Sequence, residues 1–285
     1  MQKIKIVLSY QIDKRYVDYG IVLGMNLFDT HFHLPEEGDL SNYLDQLDSG
    51  HSYKLMALGA SHPGSVRALE FARQHQNVWC ACGIHPHDAE NFNGDTAPFA
   101  EMLADSKVRA VGEIGLDYFY DFSPRDQQKK CFERFLALAV EHKKPISVHC
   151  RDQENRFDAY CDTYAMLKEF ASAVGEEKIV LHCYAGNIDF LEKFVDLGAF
   201  IGVTGMVTFP KSHNIRENLQ HIPRHRLLIE TDSPYLAPVP FRGKPNHPAL
   251  VAVVAEYIAD FLQEDRQKLA DETTANALRA FDLGE

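Results

Sequence analysis

No apolar run in the chain is long enough to cross a bilayer as a helix. The longest, such as Ala249 to Ala255, fall far short of the roughly 20 residues such a span needs. The amino-terminal stretch has scattered lysines but no apolar region followed by a small-residue cleavage site, so no secretory signal is read there. The six cysteines lack the spacing of a disulfide framework, which points to a reducing, cytoplasmic setting. Positive charge is also scarce: 29 Lys and Arg stand against 41 Asp and Glu, a net charge of −12. That overall field does not gather nucleic acid, so an anionic substrate must be held by a local cationic patch or by metal ions. No repeat or low-complexity segment is found.

What is present is the composition of a soluble globular protein with a real core, 45% hydrophobic and 25% charged. Residues 1–24 stand apart. They hold an apolar patch at Ile4 to Leu8, a polar stretch, and then Gly20 to Gly24. They are read as an extension, either an added arm or a segment upstream of a natural start at Met25. The stretch from Met25 to Glu285 has the length of a (β/α)₈ barrel, about 250 residues.

Strand-like and helix-like segments alternate from there. Strands are expected at Met25 to His33, Tyr53 to Ala60, Val78 to Ile84, Val108 to Glu113, Pro145 to His149, Lys178 to His182, Ala199 to Val203 and Arg226 to Asp232. Helices are expected between them, including one with Ser123 as N-cap and Pro124 at its first position, running to about His142. Two more, from about Ala249 to Gln263 and Arg266 to Phe281, finish the chain. Eight strands alternating with helices predict an α/β fold, a (β/α)₈ TIM barrel with additional C-terminal helices.

Polar residues interrupt the apolar strands at their C-terminal ends: His31 and His33, Glu113, His149, His182 and Asp232. In an extended strand His31 and His33 project together while Phe32 faces the other way, so two imidazoles can share one divalent ion. Barrel strand ends converge on one face. Six ligand-type groups there are too many for one tetrahedral ion and suit a pair of ions bridged by a carboxylate.

The chain closely resembles the TatD-type metal-dependent deoxyribonucleases of the amidohydrolase superfamily over nearly all of Met25 to Glu285. The matching stretches are Phe28 to Leu34, Gly83 to His87, Val111 to Tyr118, His149 to Asp152, His182 to Gly186 and Glu230 to Pro238. The resemblance implies that His31, His33 and Asp232 hold one ion, His149 and His182 the other, and Glu113 bridges them. It implies a water activated between the ions as nucleophile on phosphorus, with Asp232 taking its proton. Many related binuclear enzymes bridge their metals with a modified lysine, and no lysine occupies this strand end. Magnesium is the ion the resemblance implies, while four histidines also suit manganese or zinc.

Substrate contacts are drawn more widely. Arg151 is positioned to clamp a phosphate or to pair with a nearby carboxylate such as Asp152. Arg242, Lys244 and Asn246 form either a cationic patch or a solvated loop, and His85 is either a phosphate contact or a structural residue. Tyr118 and Tyr184 either stack on a base or pack, while Cys80 and Cys82 read as core. Two departures from the family pattern, at Gln153 to Arg156 and at Asn246-His247-Pro248, bear on substrate preference. The expected activity is hydrolysis of phosphodiester bonds in DNA, single-stranded or at an exposed end, as an exonuclease. The alternatives are a binuclear enzyme for a small phosphoester, lactone or amide, and a non-catalytic binding protein on this scaffold.

Overall fold

A computed structural model describes residues 24–35, 38–174 and 177–284. The expected extension over residues 1–24 lies, Gly24 apart, outside them. Among the described residues there are eight strands and eight α-helices, alternating from β2 onward, with two helices after the last strand. In chain order they are β1 (Asn26–Phe32), β2 (Ser52–Leu58), α1 (His62–Gln74), β3 (Val78–Cys82), α2 (Ala97–Leu103), β4 (Val108–Asp117), α3 (Arg125–His142) and β5 (Ile146–Arg151). Then come α4 (Asp158–Val174), β6 (Ile179–Leu181), α5 (Ile188–Asp196), β7 (Phe200–Val203), α6 (His213–His221), β8 (Leu227–Ile229), α7 (Val251–Leu262) and α8 (Arg266–Ala280). Each strand pairs with the next in sequence, and a parallel bridge from Phe32 to Ser233 brings β1 against the segment that leaves β8. The barrel is nearly closed, as expected.

Alternation along the strands makes two cores. Phe28, Met56, Ala81, Ala110, Val180, Phe200 and Leu228 meet inside, where Ala277, Ala280 and Phe281 at the end of α8 pack against them. Their neighbours Leu27, Leu55, Val111 and Ile201 belong instead to the outer core, with Phe132, Phe135 and Ala139 of α3. Side chains one position apart therefore face opposite layers, the pattern of parallel strands covered on both sides. With apolar side chains filling the barrel toward α8, its polar residues collect at the C-terminal ends of the strands.

Two local expectations need correcting. The N-cap of α3 is Pro124, with no side-chain cap, rather than Ser123. Ser123 is fully buried, and its hydroxyl donates to the His87 carbonyl (2.7 Å) while accepting from the Glu90 amide (3.0 Å), so it anchors the loop after β3 instead. Glu113 also lies within β4 rather than at its end. The pairing with β5 shifts register between Val111 and Ile114 and then continues to Asp117 opposite Arg151. Gly115 allows that continuation: its φ is +143°, and a Cβ there would meet the His149 carbonyl oxygen.

Asp29 fastens the seam between first and last strands. Its carboxyl accepts from the Thr231 amide (2.8 Å) and hydroxyl (2.6 Å). Beyond it the Asp232 amide donates to the His31 carbonyl (2.8 Å) and the His33 amide to the Ser233 carbonyl (2.7 Å). No helix among the described residues is long and apolar enough to cross a membrane.

Candidate metal centre

The six ligand-type side chains read from the sequence meet in one place. The seam pairing sets Asp232 beside His31 and His33, and a left-handed φ of 54° at Asp232 turns the backbone there. The His31 and His33 Nε2 atoms are 3.1 Å apart, and the His182 ring stacks on His31 with centroids 3.4 Å apart. Asp232 Oδ1 lies 3.6 Å from His33 Nε2, 3.8 Å from His182 Nε2 and 3.9 Å from His31 Nε2.

Glu113 divides the imidazoles between its two oxygens. Oε2 lies 3.2 Å from His33 Nε2 and 3.4 Å from His31 Nε2. Oε1 lies 2.9 Å from His149 Nδ1, 3.7 Å from His85 Nε2 and 3.9 Å from His182 Nε2. Three overlapping trios lie close enough to share an ion: His31, His182 and Asp232; His31, His33 and Glu113; and His85, Glu113 and His149.

Outer partners indicate which ring nitrogens face the centre with a lone pair. His33 Nδ1 lies 3.1 Å from the Leu58 carbonyl, which only accepts, so its N–H points there and Nε2 turns inward bare. His182 Nδ1 faces Glu230 Oε1 at 2.9 Å, and His149 Nε2 faces Asp117 Oδ2 at 3.1 Å, leaving the opposite nitrogen of each toward Glu113. Imidazole lone pairs and carboxylate oxygens thus converge within one small buried volume. Protons on imidazoles such as His182, or divalent metal ions in their place, can balance these carboxylates, and the donor set, histidines oriented by outer acceptors around carboxylates, fits the ions.

His85 differs. Its Nδ1 accepts the His87 amide (3.2 Å), so the neutral ring offers Nε2–H, a donor, to the mouth. It is therefore suited to an anionic oxygen rather than to a metal ion.

Burial works against the charge on every member of the cluster, and the neighbours decide the balance. Burial acts to raise the Glu113 carboxyl, but the surrounding imidazoles, His85 and His31 foremost, hold it well below the usual range. Burial acts to lower His182, yet the Glu230 and Asp232 carboxylates carry it up to about 10. Asp232 is pushed up to about 6 by burial, with His182 and His33 opposing.

The structure separates the other candidates. Arg151 does not pair with Asp152, whose carboxylate instead accepts the Gln153 and Ala159 amides. Its guanidinium lies over the Phe119 ring at 4.2 Å and the Tyr120 ring at 4.9 Å. Arg242 lies over Phe209 at 4.5 Å, exposed with Lys244 on its loop. Asn246 is no part of a cationic patch: it is buried, and its amide donates to the Thr231 and Tyr235 carbonyls. Tyr118 and Tyr184 are buried packing residues, as are Cys80, Cys82 and Cys150.

Three residues escaped the sequence reading. Asp117 joins His149 and His87, and its signal in the sequence is its place two residues after Gly115 in the stretch Val111 to Tyr118. His87 adds a ring beside His85, centroids 4.2 Å apart. Glu230 is fully buried, accepts the Cys183 amide (2.5 Å) as well as facing His182, and occupies the space a Cβ on Gly202 would fill. A carboxylate two residues before Asp232 in an otherwise apolar strand was the available sign.

A nearly closed parallel barrel with this cluster at its C-terminal mouth defines a metal-dependent hydrolase. The chain belongs to the TatD-related DNase family, whose model matches residues 28–282. It is 38% identical over 260 residues to the uncharacterized metal-dependent hydrolase YabD of Bacillus subtilis, covering 90% of this chain and 98% of that one. It is 35% identical over 268 residues to the 3′-5′ ssDNA/RNA exonuclease TatD of Edwardsiella piscicida, covering 92% and 98% respectively. Among solved structures, the TatD homologue YjjV of Escherichia coli superposes with a TM-score of 0.81 at 27% identity, over 90% of this chain and 98% of that one.

Proposed function

We propose that the protein removes nucleotides from an exposed end of single-stranded DNA by hydrolysing phosphodiester bonds, with two divalent ions at the barrel mouth. The observation that carries this reading is the division of Glu113 between two sets of histidines, His31 and His33 on Oε2 and His149 and His182 on Oε1. One carboxylate facing two nitrogen pairs is the arrangement a bridged pair of ions requires. In this reading His31, His33 and Asp232 hold one ion, His149 and His182 the other, and Glu113 both. The names borne by relatives such as the Edwardsiella exonuclease support a nucleic-acid substrate, and a cytoplasmic setting belongs to the same proposal.

When bound, the ions supply Lewis acidity, lowering the pKa of water and offsetting phosphate charge. The chain's own groups do the rest. Asp232, at the edge of both histidine sets, accepts the proton of the attacking water. His85 Nε2–H donates to a phosphate oxygen. Arg151, exposed at the end of β5, meets the next phosphate along the strand. Arg242, exposed on the loop that follows β8, serves the same purpose further out. Magnesium is the first choice of ion, manganese and zinc the others.

The test is nucleotide release from end-labelled single-stranded DNA by metal-stripped protein resupplied with magnesium, manganese or zinc, with Asp232→Asn alongside. Metal-dependent release that the substitution abolishes is expected. The net charge of −12 favours the rival reading, a small phosphoester, lactone or amide. Inert protein with every metal would favour those substrates.

A further inference from the structure

We infer that the loop after β4 is a stacking platform for an unpaired nucleobase beside the scissile phosphate, an inference that rests on the phosphodiester reading above. Tyr118 turns its ring into the core, and the three aromatic side chains after it do the opposite. Phe119 is 42% exposed, Tyr120 47% and Phe122 63%. Three aromatic rings held out in water within four residues are not accounted for by packing.

The rings are arranged rather than loose. Tyr120 and Phe122 stack with centroids 5.1 Å apart and planes 19° from parallel, and Phe119 meets Tyr120 edge-on at 4.8 Å. The loop is pinned beneath them: Asp117 Oδ1 accepts both the Phe119 and the Tyr120 amides at 2.9 Å. The same carboxylate, through Oδ2, meets His149 and His87. One side chain therefore fixes the rings relative to the metal cluster.

A continuous path of rings connects the two. His87 meets Phe122 edge-on at 4.7 Å and Tyr120 at 5.4 Å, and its other neighbours are His85 at 4.2 Å and His149 at 6.4 Å. A nucleotide whose phosphate reaches the cluster thus has Tyr120 and Phe122 within the span of its own sugar and base. Arg151, seated over Phe119 and Tyr120, keeps its N–H edge for the neighbouring phosphate.

Charge selects this occupant. A chain of net charge −12 does not hold a polyanion by its overall field, so contacts indifferent to charge add to what the metal ions and Arg151 supply locally. Stacking on flat bases is such a contact, and it tolerates any sequence. A protein partner or second copy on these rings would sit at the mouth and obstruct the site.

The experiment compares two short 5′-labelled single strands, one intact and one with abasic residues at its last two 3′ positions. Wild-type protein is assayed with whichever of magnesium, manganese or zinc supports cleavage. Loss of the bases is expected to raise KM by roughly 5- to 100-fold, the range of one lost base stack. Tyr120→Leu/Phe122→Leu, which keeps apolar bulk without rings, is expected to raise KM on the intact strand by a similar factor and to bring the abasic-to-intact ratio near one. Phe122→Trp is expected to preserve that ratio. Wild-type protein indifferent to the bases, or a double variant retaining the wild-type ratio, overturns the platform while leaving the nuclease reading standing. Failure of the wild type to cleave either strand removes both. A wild-type dimer that the double variant splits in sedimentation, with the ratio unchanged, assigns the rings to an interface between copies instead.

Discussion

His149 Nε2 lies 3.1 Å from Asp117 Oδ2, and the same oxygen lies 2.9 Å from His87 Nε2. Burial acts to raise the Asp117 carboxyl, but hydrogen bonds from His149 and His87 outweigh it and hold the group well below its usual range. An ionised carboxylate at that position draws the N–H of His149 outward and leaves Nδ1 bare toward Glu113, 2.9 Å away. Asp117→Asn keeps the shape and removes the charge. It is expected to weaken manganese binding by about 10- to 100-fold, the usual effect of losing such an outer partner, with an unchanged circular dichroism spectrum. Calorimetric titration decides it, and wild-type affinity in the variant would remove Asp117 from the metal site.

Glu113 contacts all four histidines of the two sets, one set on each oxygen, and it is nearly fully buried. Glu113→Gln is therefore expected to lower occupancy at two ions per chain together rather than at one. Metal content after equilibrium dialysis measures this. Retention of one full-affinity ion would assign Glu113 to a single site.

The sequence showed the six convergent side chains because each stands out against an apolar strand and strand ends share a face in a barrel. It could not show their outer partners. Asp117 acts through a β4 that runs four residues beyond Glu113, and its second partner, His87, comes from the loop after β3. His85 becomes a donor only through the His87 amide on its Nδ1. The exposed rings Phe119, Tyr120 and Phe122 were not singled out, because which aromatic residues after Asp117 face water depends on where β4 stops. Ser123 read as a helix cap by local chemistry alone, and a contact 36 positions away took its hydroxyl.

Asp29 holds the barrel seam with a carboxyl that burial pushes up to about 8. At neutral pH the group is therefore largely protonated, with Oδ2–H donating to the Thr231 hydroxyl in place of accepting from it, and a carboxamide, which also pairs one acceptor with one donor, can take its place with little change. Asp29→Asn is expected to cost under about 1 kcal/mol, whereas Asp29→Ala, which strands the buried Thr231 amide and hydroxyl, is expected to cost about 2–3 kcal/mol. Urea unfolding at pH 7 measures both. Equal losses would mean the carboxyl is ionised in the fold.

His247 supplies a pH dependence from a residue outside the set of metal-ligand candidates. Its Nε2 lies 2.9 Å from the Tyr43 carbonyl and its Nδ1 accepts the Ala249 amide at 3.1 Å, so the neutral ring is satisfied at both nitrogens. A second proton on Nδ1 would face an N–H. Burial accordingly lowers the imidazole from 6.5 to about 4, with the Tyr43 carbonyl opposing. A lowered folded value means that the unfolded chain takes up the proton first. The stability contribution is then complete above pH 6.5 and drains away as the pH falls toward 4. Between pH 7.5 and pH 5 the loss from this residue is expected to be about 2 kcal/mol. His247→Gln retains a donor for Tyr43 without a titrating group, so its urea midpoint should fall less over the same interval. Superimposable pH profiles for the two proteins would show that His247 accepts its proton in the fold as readily as in the unfolded chain.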